Sequence, residues 1–139
     1  MGKVSDFMLR EHGEILALLE KYKKTKKEED FKKLGEKQER HIMAEEKAIF
    51  IFYKGKKGFE VLSIILEQHE QLLRLEKAIE NGENKFKEMK DLFAKHIRLE
   101  DEQFYPRLDE ELSKAEQEEV IASAKKYILG TIGFGSRLG

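Results

Sequence analysis

Two stretches of this chain carry the same charged pattern: "RHIMAEEKAIF", Arg40 to Phe50, and "KHIRLEDEQFYP", Lys95 to Pro106. Each has a His, a Glu four residues later and a second acid directly after. Residues at i and i+4 are neighbours on a helix surface. His41 and Glu45 can therefore approach one metal, or bridge towards a second, from one helix, and His96 and Glu100 can do so from another. The two remaining histidines, His12 and His69, would add one imidazole each. Imidazole with carboxylate and no thiolate suits iron, manganese or zinc. Six such donors fit a pair of ions bridged by carboxylates better than one tetrahedral site.

A lone buried His is more often a satisfied core residue than a ligand. That reading weakens here because all four histidines fall on apolar faces, one per helix. Burying four imidazoles and two carboxylates without compensation costs several kcal/mol per charged group. A bound cation supplies the missing charge.

The elements that must position these groups are helical. The three-and-four spacing of Phe7, Met8, His12, Ile15, Leu16, Leu19 and Tyr22 predicts a first helix from about Ser5, a plausible N-cap, to Lys24. A charged break, "KKTKKEED", precedes a second helix from about Asp30 to Tyr53, with Phe31, Leu34, His41, Glu45, Ala48, Ile49 and Phe52 inward. "KGKKG" (Lys54 to Gly58) reads as a loop. A third helix, about Phe59 to Glu80, places Leu62, Ile65, Leu66, His69, Leu72, Leu73 and Ile79 on one side. "NGEN" (Asn81 to Asn84) is a turn signal. The fourth helix, about Lys85 to Leu112, carries Phe86, Met89, Phe93, His96, Ile97, Glu100, Phe104 and Leu108, and Pro106 is expected to kink or end it locally. Ser113 and Glu116 form a capping-box signature for a short fifth helix. The glycine-rich tail "GTIGFGSRLG" is expected to pack loosely or to be disordered.

The predicted fold is all-α: an antiparallel up-down four-helix bundle over about residues 5–112, with a short C-terminal fifth helix and tail over 113–139, in one domain spanning 1–139. The two helix pairs also correspond. His12 aligns with His69, His41 with His96, and Glu45 with Glu100, a weak internal duplication.

Composition narrows the function. The 27 basic and 28 acidic residues are mixed along the chain, so no basic face points to nucleic acid. No apolar run approaches the roughly 18 residues of a spanning helix. No secretory signal is seen, which makes the cytoplasm the default compartment. The chain has no cysteine, which excludes disulfides, thiolate metal sites and thiol catalysis. No Ser/His/Asp arrangement or phosphate loop stands out.

The ordered set of His12, "HIMAE" (His41, Glu45), His69 and "HIRLE" (His96, Glu100) resembles the hemerythrin-like, or HHE cation-binding, domain family over about residues 5–112. "EHGEI" and "QHEQL" are also similar to the family's lead-ins to its first and third histidines. The resemblance implies a non-haem di-iron centre in a four-helix bundle, with the histidines as terminal ligands and Glu45 and Glu100 bridging. It implies binding or sensing of dioxygen or a related small molecule such as nitric oxide, or iron handling. A di-iron enzyme of oxidase, peroxidase or nitric oxide reductase type is the alternative, and a structural zinc or manganese bundle a third.

Oxygen-carrying hemerythrins have HxxxH on the third helix, where this chain has Leu73. Water or another carboxylate would then complete the shell. Glu46, Glu70 and Asp101 stand nearby, although the commoner role for each is an exposed acid. Asp101 also occupies the place of the carriers' fourth-helix aspartate. In an undistorted helix i+4 shares the His face better than i+5, which favours Glu100.

Overall fold

The computed structural model describes residues 3–51 and 60–129. These form an all-α bundle, with no strand among the described residues. Helix α1 spans Val4–Thr25 and α2 spans Glu28–Ala44, continued by a π-helical turn at Glu45–Ile49. Helix α3 spans Glu60–Glu80. Helix α4, Phe86–Leu99, runs through a second π turn, Glu100–Phe104, into α5, Tyr105–Glu111. The short helix α6 covers Lys114–Ile128.

The links explain the antiparallel order. The charged break after α1 is shorter than expected, because Lys26 adopts a left-handed conformation (φ 57°) and its N–H bonds to the Tyr22 carbonyl at 2.8 Å. The Thr25 hydroxyl donates to Asp30 at 2.6 Å and ties the two helix ends together. Three acids, Glu28, Glu29 and Asp30, open α2, where the helix dipole favours negative charge. The turn between α3 and α4 depends on Gly82 at φ 92°, a backbone state that L side chains resist.

Several details differ from the sequence reading. Ser5 is not the N-cap of α1, which starts at Val4. Its backbone N–H and hydroxyl donate to Asp109 instead. Leu16 is exposed, since the stripe of α1 is narrower than its apolar spacing suggested. Of the two outcomes expected at Pro106, a kink or an end, the fourth helix does not end there but breaks its α-helical pattern just before it. The π turn precedes it, and Pro106 falls in the first turn of α5, where a missing N–H costs little. The Ser113–Glu116 capping box is formed, with bonds of 2.8 and 3.1 Å. The end of the second helix beyond Ile51, the "KGKKG" segment and the glycine-rich tail lie outside the described residues.

Helix α6 packs on α1, α2 and the first π turn. Its Gln117 accepts from the Val4 N–H at 3.0 Å, and so supplies a partner for one of the free donors at the start of α1.

The core is two apolar clusters. One gathers Met8, Ala44, Ile65, Phe104, Tyr105 and Leu108. The other gathers Ile15, Leu19, Leu34, Leu72, Met89 and Phe93. The four histidines lie in sequence between these sets, so a polar layer crosses the bundle between two hydrophobic ones.

Candidate metal centre

His12, His41, His69 and His96 each come from a different long helix, and all are at most 2% exposed. Glu45 and Glu100 are fully buried with them. Both carboxylates open a π turn, the first donor of which closes back on them: the Phe50 N–H bonds to the Glu45 carbonyl and the Tyr105 N–H to that of Glu100. The duplication seen in the sequence therefore extends to an uncommon backbone form. Such π turns are found at functional sites more often than elsewhere.

Side-chain donor atoms converge in two groups, each within 4.8 Å: His12, His41, Glu45 and Glu100, and Glu45, His69, His96 and Glu100. The two carboxylates belong to both. Glu45 Oε1 is 2.8 Å from Nε2 of His69, while its Oε2 is 3.3 Å from Nε2 of His41. Glu100 Oε1 is 2.9 Å from Nε2 of His12, while its Oε2 is 3.3 Å from Nε2 of His96. Each carboxylate thus turns one oxygen towards each pair of imidazoles.

The acids that follow are also placed. Glu46 accepts from Nδ1 of His69 at 2.7 Å. Asp101 lies 3.0 Å from Nδ1 of His12, an ion-pair distance off the hydrogen-bond axis. Both acids are partly buried rather than exposed. The wide turn explains this, because it keeps i+5 as well as i+4 turned inward from His41 and His96. Glu100, not Asp101, lies in the shared donor groups. Glu70 is exposed, and Leu73 lines a cavity of about 260 Å³ with Glu39 and Glu76.

Two contacts were not foreseen. Gln68 accepts from Nδ1 of His96 at 2.8 Å. The fully buried Tyr105 hydroxyl donates to Glu45 Oε2 at 2.5 Å. The only sequence signal for Gln68 is that a polar residue precedes both His12 and His69. Tyr105 is marked in the sequence only as the aromatic that follows Phe104 in the second repeated stretch.

The electrostatics are those of a charged cluster in a dry core. Burial opposes a charge on His12, but Asp101 and Glu100 outweigh it and raise its pKa to about 10. Burial likewise opposes a charge on His69, and Glu45 with Glu46 raises it to about 9. Burial works against ionised Glu45, yet His41 and His69 hold it well below the usual carboxylate range. Burial, then Glu45 and Glu100, pushes the Tyr105 phenol well above its ordinary value.

The donor set fits a metal. Both ring nitrogens of His41, Nε2 of His96 and Oε2 of Glu100 are buried without a hydrogen-bond partner among the described residues. Unpaired buried polar atoms of this kind are costly, and a cation would satisfy those that face the layer.

Residues 3–108 match the family model described as Hemerythrin HHE cation binding domain. No curated protein and no solved structure gave a match.

Proposed function

The chain belongs to the hemerythrin HHE cation-binding domain family, and from that premise we propose that it holds two iron ions and binds or senses dioxygen or a related small molecule. The observation that carries this reading is the double-facing geometry of Glu45 and Glu100, each with one oxygen towards each imidazole pair. His12 and His41 would hold one ion, His69 and His96 the other, and both carboxylates would be shared. The nitrogen and oxygen donors favour iron, with manganese or zinc as substitutes.

When bound, the iron pair supplies redox-active positions at which a small ligand such as dioxygen or nitric oxide can bind. The chain's own residues prepare the layer. Glu46 fixes the Nδ1 proton of His69 and leaves Nε2 turned inward. Phe50 stacks on His69 with centroids 5.7 Å apart, and Phe93 meets His12 edge-on at 6.4 Å. These rings exclude water from both sides. With Leu73 in place of a fifth histidine, the four imidazoles leave coordination positions for a ligand. The setting we propose is the cytoplasm; no helix among the described residues is long and apolar enough to cross a membrane.

Iron content and the absorption spectrum of protein isolated without chelator test the reading. About two irons per chain are expected for a bundle carboxylate site. Fewer than about one would sink it, and a colourless metal-loaded protein would indicate structural zinc or manganese. The buried phenol of Tyr105 at the centre favours a second reading, a di-iron enzyme. Exposure of the anaerobically reduced protein to dioxygen or nitric oxide separates the two: a releasable adduct marks a binding protein, turnover an enzyme.

A further inference from the structure

We infer that the two halves of the centre are unequal, and that the His69/His96 half fills first and holds its ion about tenfold to a hundredfold tighter than the His12/His41 half. This rests on the proposed paired centre and concerns how the chain's own residues treat its two sides. In the His69/His96 half both imidazoles are held from behind by good hydrogen bonds, Glu46 on His69 at 2.7 Å and Gln68 on His96 at 2.8 Å. In the other half Asp101 meets His12 off axis, and neither nitrogen of His41 has a hydrogen-bond partner among the described residues. A partner behind a ligating imidazole fixes the ring's tautomer and orientation and raises its basicity.

The duplication shows where the asymmetry comes from. By the offset that aligns His12 with His69, Gln68 corresponds to Glu11. Glu11 is buried too, but its carboxylate pairs with Lys37 at 2.6 Å. By the offset that aligns His41 with His96, Lys37 corresponds to Leu92, which has no charge with which to draw Gln68 away. One lysine thus engages the group that the repeat would otherwise place behind His41. Tyr105 adds to the difference. It donates to Oε2 of Glu45, the oxygen beside His41, whereas its counterpart in the first repeat, Phe50, has no hydroxyl.

Anaerobic calorimetric titration of the metal-free full chain with ferrous iron tests this. Two one-equivalent steps are expected. His41→Ala should remove the weaker step and spare the tight one, and His69→Ala should remove the tight one. Repulsion between two dications also separates steps, so the decisive result is which variant loses which step. Gln68→Leu, outside the ligand set, should weaken the tight step about tenfold and bring the two together. A single two-equivalent step, equal effects of the two His variants, or an unchanged gap in Gln68→Leu overturns the inference while leaving the paired centre standing. Total uptake below one equivalent overturns the paired centre itself.

Discussion

Glu46 accepts from Nδ1 of His69 at 2.7 Å, and its neighbour Glu45 meets Nε2 of the same ring at 2.8 Å. Adjacent residues of the second long helix thus grip both ends of one imidazole of the third. Asp101 and Glu100 flank His12 in the corresponding places, but Asp101 lies off the hydrogen-bond axis of that ring. Replacing Glu46 with Gln keeps the shape of that contact and removes its charge. Metal affinity should fall about tenfold to a hundredfold with the metal-free fold intact. Competition against a chelator measures it, and unchanged affinity would refute a role for Glu46 behind His69.

Proton release should accompany loading. With pKa values of about 10 and about 9, His12 and His69 are both charged at neutral pH in the metal-free chain. A metal takes only a neutral imidazole, so a fully loaded chain should expel about two protons at pH 7. Calorimetry in buffers of different ionisation enthalpy reads that number directly. No dependence on buffer would show that these rings were neutral beforehand.

Stability of the metal-free protein should decline on the alkaline side. Both histidines titrate higher folded than unfolded, so their contribution is complete below about pH 6.5 and fades as pH climbs through about 9 and 10. Glu76 acts in the same direction. Burial, then its neighbour Glu39, raises its pKa to about 9, so the folded state binds its proton more tightly and loses stability as pH rises from the ordinary 4.5 towards that value. Urea midpoints should therefore be lower at pH 10 than at pH 6. Glu76→Gln, which has nothing to ionise, should recover part of that loss, and its gain over the parent should be larger at pH 10 than at pH 6.

Tyr105→Phe removes one oxygen from the core. Its hydroxyl donates to ionised Glu45 at 2.5 Å, and hydrogen bonds to charged groups contribute about 1.5–3 kcal/mol. The metal-free variant should be destabilised by about that amount in equilibrium unfolding. A variant as stable as the parent would mean that Glu45 finds another donor.

Much of this arrangement was legible before any coordinates, because periodicity and chemistry agree at the same positions. His12, His41, His69 and His96 fall between hydrophobic residues at helical spacing, and Glu45 and Glu100 one turn further on. What spacing could not show was the backbone change at Glu45 and Glu100. Counting on an ideal helix makes i+4 and i+5 rivals, and the π turns let both acids serve, one inward and one behind a ring. Gln68 and Glu76 were hidden for a different reason. A polar residue on the flank of an apolar stripe looks like surface until a neighbouring helix is seen covering it, as α2 covers Glu76 where Gly35 leaves room for its carboxylate.

The crossed pairing also means that neither half of the chain is self-sufficient. Residues 3–51 hold His12, His41, Glu45 and Glu46, but the acids that face His12 come from the other half. Residues 60–129 hold His69, His96, Glu100 and Asp101, yet His69 relies on Glu45 and Glu46. If the chain were severed between residues 52 and 59, two separate helical pieces would result, each with half the donors and with its buried Glu lacking the histidine that it meets across the bundle. The donor set would be complete only on reassociation, and the ions of the proposed centre would then act as the clasp.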